Sequence, residues 1–152
     1  MNKIATHLLA ALAAATLATS AVAASKNVII NANIVGTCAF TDASDVTINM
    51  GDLRAGQGDV SQPASTQFWC SAGVPYTISA DSGRNAENGS NQLISGANKL
   101  PYELALDKES GTGAGIASPE TLNLSAKIKG SDLDAAAVAN GYTDTVVLTL
   151  TP

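Results

Sequence analysis

The stretch NVIINANIVG, residues 27–36, decides how the rest of the chain is interpreted. Successive side chains of a β-strand point to opposite faces, so its even positions form one wholly apolar face. These positions are Val28, Ile30, Ala32 and Ile34. The other face mixes three asparagines with Ile29 and Val35, and no tight turn follows that could fold the strand back as a hairpin arm. Such a strand needs a groove to fill, either in its own domain or in another molecule.

Residues 1–23 have the pattern of a secretory signal peptide. Lys3 gives a positive start, residues 8–17 are an Ala/Leu-rich apolar run, and the AVA at residues 21–23 supplies the small side chains that a signal peptidase needs. The run is shorter than the roughly 20 apolar residues that cross a bilayer. We therefore expect cleavage after Ala23 and export of the mature chain.

The charge of the mature chain excludes several functions. Removal of the signal peptide takes away Lys3 and His7 and leaves seven basic against thirteen acidic residues, a formal net charge of −6. Without histidine, catalytic triads and metal sites that depend on it are excluded. A basic patch for nucleic acid is missing as well. The acidic and amide groups of the loop at residues 82–91 do not have the spacing of an EF-hand, so we expect a surface turn and no metal.

Enzymatic activity and a cofactor are not expected either. The sequence has no Ser-x-x-Lys or Gly-x-Ser-x-Gly spacing, and neighbouring carboxylates such as Asp132 and Asp134 are commonplace in loops. The glycine-rich GTGAG at residues 111–115 resembles a nucleotide-binding loop only superficially, because no buried strand precedes it and no helix follows.

Two cysteines, Cys38 and Cys70, remain in the mature chain. An even count in an exported protein predicts one disulfide. Closing a loop of about 30 residues stabilises a fold by roughly 3–4 kcal/mol in the chain-entropy estimate. The alternative is a pair of reactive thiols, but there is no nearby histidine and no Cys-x-x-Cys spacing to activate them.

Short alternating apolar segments follow Cys38, separated by turn residues at fairly even spacing. This pattern predicts an all-β fold, an antiparallel sandwich with one buried face per strand. A polar loop is expected at residues 54–61 and a helical turn at residues 132–140. We also expect residues 66–71 and 75–81 to be neighbouring strands. The predicted strands are residues 45–50, 66–71, 75–81, 100–107, 121–130 and 142–152.

The order of six short motifs resembles the spore coat protein U family, the domain of archaic (Csu-type) chaperone–usher pilus subunits. The resemblance covers nearly the whole mature chain. Two departures affect loops more than the frame: Ala105-Leu106 replaces an expected aromatic, and residues 108–119 lack an expected Trp-Gly pair. The motifs are GTC at 36–38, NMG at 49–51, WC at 69–70, GVPYTI at 73–78, LPYEL at 100–104 and GYTDTV at 141–146.

The resemblance implies an immunoglobulin-like sandwich that lacks its last strand. In the family, a periplasmic chaperone lends a strand to the open groove, and at an outer-membrane usher the N-terminal strand of the next subunit replaces it. It therefore implies a donor strand at residues 24–36, a pilin domain at residues 37–152, and a place in a surface pilus (fimbrium) that supports adhesion and biofilm formation.

Site residues are implied in the same way. Val28, Ile30, Ala32 and Ile34 would be the plugs that enter the groove of the next subunit. The groove wall and chaperone contact would be Tyr142, Val146, Leu148, Leu150 and Pro152, with the carboxylate of Pro152 as the end that a chaperone grips.

Three other interpretations stay open. Residues 28–34 could be an ordinary first strand of a self-complete sandwich, since alternation does not say whose core is filled. The protein could instead be a secreted or spore/cell-coat protein that does not polymerise. A tip adhesin normally has an extra binding domain, for which the mature chain has little room; Trp69 is the best candidate for an exposed contact, although a tryptophan beside a disulfide more often packs.

Overall fold

The computed structural model describes residues 22–152, which fall into parts of two compact units, residues 1–33 and 34–152. Most of the predicted signal peptide, residues 1–21, lies outside the described residues. In residues 22–33 of the first unit no strand or helix forms, and every side chain is exposed. Within residues 22–152, no helix is long and apolar enough to cross a membrane.

The second unit is an antiparallel β-sandwich, which confirms the predicted fold class. Its larger sheet has five strands in the order β1-β2-β7-β5-β4, all antiparallel to their neighbours. In chain order these strands are β1 (Cys38–Phe40), β2 (Val60–Cys70), β4 (Asn91–Ser95), β5 (Asn98–Leu106) and β7 (Glu120–Ile128).

The smaller sheet has three strands in the order β6-β3-β8, again antiparallel. They are β3 (Pro75–Ala80), β6 (Ser110–Thr112) and β8 (Leu148–Thr151). One short helix, α1 (Gly130–Ala135), follows β7. β8 is an edge strand, paired with β3 on one side only, and the groove described below opens beside it.

Strand periodicity builds the core between the two sheets. In β7, Leu122, Leu124, Ala126 and Ile128 are buried while intervening positions face outward, as their alternation predicts. Across the sandwich, Phe68 of β2 meets Tyr76 of β3 edge to face, with ring centroids 5.0 Å apart. The buried residues of this main cluster are Phe68, Cys70, Tyr76, Ile78, Leu122 and Leu124.

A second, smaller cluster closes one end of the domain. Leu133 of α1 is buried against Leu100 and Ile128, and Met50 packs on the same group. The helix occupies the first part of the predicted helical segment 132–140 and begins two residues earlier. Its first N–H, at Gly130, donates to the carboxylate of Asp59 at 3.0 Å.

The predicted disulfide between Cys38 and Cys70 is present. The two cysteines lie directly opposite each other in the β1–β2 ladder. Cys70 is almost fully buried in the main cluster, so the bridge fastens the start of the domain to the centre of the larger sheet.

The expectation that the strands at 66–71 and 75–81 are neighbours is wrong. β2 pairs with β1 over residues 68–70 on one edge and with β7 over residues 60–68 on the other, whereas β3 pairs with β6 and β8 in the smaller sheet. Residues 71–74 instead carry the chain to the opposite sheet, through Gly73 with a φ of +76°. Phe68 and Tyr76 therefore face each other across the core rather than along a ladder.

Other strand boundaries also differ from the prediction. β2 begins at Val60, inside the predicted polar loop 54–61, because its polar positions are paired with β7. β4 was not predicted; its sequence NQLIS starts with two amides, and it forms a hairpin with β5. Residues 45–50 form no ladder, although Ile48 and Met50 are half-buried as their alternation indicates.

Candidate functional site: an open hydrophobic groove

A groove of about 680 Å³ runs over the inner face of the larger sheet, beside β8. Its floor is apolar because it is formed by inward positions of two strands, β5 and β7, and the β7 side chains there are at most 7% exposed. The floor residues are Leu104, Leu124, Ala126 and Ile128.

One wall of the groove is the chain that leads into β8. Residues 143–148 all line it, and Val146 and Leu148 turn inward while Val147 is 52% exposed on the other face. The outer edge of this wall is hydrogen-bonded: Thr143 exchanges two backbone bonds of 3.0 Å with Ile94 of β4, and the carbonyl of Thr145 accepts from Arg84 N–H.

The second wall is the chain that follows β1. It approaches the groove with Phe40 and continues with residues 42–48 and Met50. The segment is apolar on the inside, through Ile48 and Met50, and polar or acidic on the outside, through Asp45 and Thr47.

Backbone groups in both walls lack partners. Within residues 22–152, residues 45–50 make no backbone–backbone hydrogen bond, and neither the N–H nor the C=O of Val146 is bonded. Ordered proteins pair nearly all such groups in their strands. Two extended segments with unpaired backbone, on either side of an apolar floor, have the geometry of a sandwich from which one intervening strand is missing.

Carboxylates fix the first wall. Asp144 accepts a 2.7 Å hydrogen bond from the hydroxyl of Tyr102, and its other oxygen accepts from the N–H groups of Asn85 and Thr145. Burial raises the pKa of Tyr102 to about 12, and the Asp144 carboxylate acts in the same direction. The Tyr102 hydroxyl therefore stays protonated and keeps donating throughout the physiological range.

Asp81 holds the other end of this wall. Its carboxylate accepts hydrogen bonds from the N–H groups of Val147 and Gly83, at 3.0 and 2.9 Å, and its own N–H donates to the carbonyl of Val147. The hydrogen bond from the N–H of Val147, followed by the weaker effect of the one from Gly83, holds the pKa of Asp81 below its ordinary value. Gly83 is required here, since its φ is +81° and a Cβ would collide with the Asp144 carboxylate.

The predicted wall residues separate into two groups. Val146 and Leu148 line the groove, whereas Tyr142, Leu150 and Pro152 lie outside the lining. Leu150 packs on the main core and Tyr142 on the second cluster. The hydroxyl of Tyr142 donates 2.7 Å to the carbonyl of Ala137, five residues upstream, like the tyrosine corner of immunoglobulin-type sandwiches. Pro152 is exposed beyond β8.

The predicted plugs are all exposed. Val28, Ile30 and Ile34 have 82%, 88% and 97% of their surface accessible, and Ala32 is exposed as well.

Trp69, the candidate contact residue, is half-buried in β2. Within the described part of the chain, no three His, Cys, Asp or Glu side chains are grouped so that they could hold a metal ion.

Two parts of the site were missed from the sequence. The wall at residues 42–50 carries a usable signal, the alternation of Val46, Ile48 and Met50, but alternation does not say that this strand lacks a partner. The roles of Asp81 and Asp144 had no signal, because each depends on hydrogen bonds to residues distant in the sequence.

Comparison with known proteins identifies the domain. The family model of the Spore Coat Protein U domain matches residues 24–149. The chain belongs to the Spore Coat Protein U family. The match begins ahead of the apolar alternation and ends within β8, so this Spore Coat Protein U domain includes the exposed N-terminal segment, the disulfide and both groove walls.

One solved structure shares the fold of this Spore Coat Protein U domain, and a second matches it more weakly. One is the chaperone–tip adhesion subunit pre-assembly complex CsuC–CsuE of the archaic Csu pili of Acinetobacter baumannii, at 19% identity and a TM-score of 0.51, covering 78% of this chain and 40% of that chain. Another is a chaperone–tip adhesin complex of CFA/I fimbriae, at 20% identity and a TM-score of 0.43, covering 74% and 40%. The chain thus spans less than half of the chains it matches. Among curated proteins, no sequence matches it.

Proposed function

We propose that this protein is a structural pilus (fimbrial) subunit that polymerises by donor-strand exchange. The observation that carries the proposal is the groove, whose two walls have unpaired backbone groups on either side of an apolar floor. A strand inserted between residues 45–50 and residues 143–148 would pair those groups and pack its side chains against the apolar floor. These features support an acceptor domain that takes up one strand.

The N-terminal segment has the properties of the matching donor. Its plugs Val28, Ile30, Ala32 and Ile34 alternate and are fully available, with no strand formed in residues 22–33. Burying each of the three larger plugs would contribute about 1.5–3 kcal/mol, and ladder hydrogen bonds would add to this. Their alternation sets the register, since a one-residue slip would turn the asparagines into the groove.

The same geometry favours the involvement of assembly factors before polymerisation. An open strand edge beside an apolar floor favours uncontrolled association. We therefore assign a periplasmic chaperone that covers the groove, with Tyr142, Leu150 and Pro152 as further contacts, and an outer-membrane usher at which the next subunit replaces it. The solved Csu complex is itself a chaperone–subunit pair. We further propose export into a surface pilus that supports adhesion and biofilm formation.

Electron microscopy of the mature chain, residues 24–152, tests the proposal. Thin fibres are expected from the unaltered chain, and a chain without residues 24–35 should stay monomeric or chaperone-bound. A sharper pair is Ile30→Asp, which puts a charge on the plug face, and Asn31→Asp, which puts the same charge on the opposite face. Only Ile30→Asp should abolish fibres; stable monomers from the unaltered chain would refute the proposal.

A coat protein is the second candidate, favoured by the family to which the chain belongs. In that case the sandwich is deposited on a spore or cell surface without strand exchange. The same experiment separates the two functions, because a coat protein that does not polymerise should be indifferent to Ile30→Asp.

A further inference from the structure

The first groove wall, residues 143–148, lacks the support that a strand normally has. On the groove side, Val146 has no backbone partner within the described residues. On the far side, regular pairing with β3 begins only at Leu148. The wall up to that point is attached by the two bonds to Ile94 and by single bonds from Arg84 and Asp81.

Side chains supply the remaining attachment. Asp144 connects the wall to β5 through Tyr102 and to the loop after β3 through the N–H of Asn85. The side-chain amide of Asn85 donates back to the carbonyl of Thr143 at 3.0 Å. Asp81 binds the N–H of Val147 at the other end. Hydrogen bonds to ionised carboxylates are stronger than neutral ones.

We propose that Tyr102, Asp144 and Asp81 form a clasp that holds the open wall in strand geometry before a donor arrives. The clasp is a set of positioning residues: Tyr102 and Asp144 also line the groove, and none of the three side chains bonds the backbone of Val146. A pre-formed edge binds faster and more tightly than one that must be ordered during binding. This inference rests on the proposed function and names the residues that make the domain a competent acceptor.

The chain offers a matched control. Tyr76 also donates its hydroxyl to a carboxylate, that of Glu120 at 3.0 Å, but it lies in the main core and outside the groove lining. Tyr102→Phe and Tyr76→Phe therefore remove the same chemical group from the same kind of bond. Only the first removes a bond to the wall.

The experiment uses the full mature chain with Ile30→Asp, which should accept a strand but not donate one. A fluorescent peptide of residues 24–36 is the probe, and its anisotropy reports association. We expect Tyr102→Phe to slow association about tenfold, because a hydrogen bond to a charged group is lost. Tyr76→Phe should leave the rate within about twofold, and urea unfolding would show whether both variants remain folded.

Amide hydrogen exchange gives a second readout that needs no peptide. Exchange at Thr145 and Val147 should be faster in Tyr102→Phe and in Asp144→Asn than in Tyr76→Phe. The clasp proposal would be overturned if Tyr102→Phe and the chain that retains Tyr102 had equal peptide association rates and equal amide exchange rates. If the Ile30→Asp chain with an intact clasp takes up no peptide at all, the proposed function itself fails. That result differs from one in which Tyr102→Phe binds the peptide at the same rate as this chain.

Discussion

Cys38 and Cys70 are the residues whose contribution to stability is most directly testable. They are 32 residues apart in the sequence and opposite each other in β1 and β2. We expect replacement of both by serine to lower the free energy of unfolding by about 3 kcal/mol, since a loop of this length is then no longer closed in the unfolded chain. Urea unfolding measures this; reductant should destabilise the native chain and leave the double variant unchanged.

Asp81 predicts a pH dependence. Its folded pKa lies below the ordinary value of 3.8 because it accepts backbone hydrogen bonds, so its contribution to stability is present above pH 3.8. The contribution is lost as the pH falls through the lowered pKa. Asp81→Asn should therefore be less stable than the native chain at pH 7, and the difference should shrink below pH 3.8 in thermal unfolding. A difference that stays constant down to pH 2 would contradict this assignment.

Single residues also show which contacts can be predicted from the sequence and which cannot. The disulfide followed from two cysteines in an exported chain, and the inward faces of β5 and β7 followed from alternating leucines. The bonds of Asp81 and Asp144 could not be predicted, because carboxylates in polar loops have the same composition whether they are solvated or bonded to a distant backbone. Which side chains line the groove depends on such long-range contacts.

The wall before β8 is the element that most directly tests strand acceptance. Val146 is half-buried and Val147, one residue away in the same segment, is 52% exposed, because successive side chains of an extended chain point to opposite faces. Val146→Asp should abolish uptake of the residue 24–36 peptide, because a charge would be buried under the incoming strand. Val147→Asp places the same charge in solvent and should bind the peptide normally. Both rates are measurable by anisotropy, and loss in both variants would point to unfolding of the wall instead.

At the level of elements, the positions of strands can be predicted from the sequence better than their neighbours in the sheet. Period-2 alternation located β3, β5 and β7, but it carries no information about which strand lies beside which. The neighbours of β2 are set by the disulfide on one edge and by β7 on the other, both distant in sequence. β4 was missed because its leading amides, Asn91 and Gln92, read as the end of a loop.

For the whole molecule, the proposed function predicts that binding of a donor strand increases the stability of the domain. A ligand that binds only the folded state stabilises it by about 2.7 kcal/mol at 100 times its Kd. The residue 24–36 peptide should therefore raise the Tm of the mature Ile30→Asp chain by several degrees, and a peptide with the same substitution should not. Calorimetry measures both. An unchanged Tm at saturating native peptide would mean that the sandwich needs no further strand.

The position of Cys38 has a mechanical consequence for a fibre. In the proposed fibre, tension carried by residues 24–36 would enter the domain at Thr37, and β1 is only three residues long. Without the bridge, such a pull would peel β1 from β2 one bond at a time. With it, the load would pass through a covalent link into β2, which is paired with β7 along residues 60–68. The bridge would let a filament stretch without opening its domains from the end that bears the force.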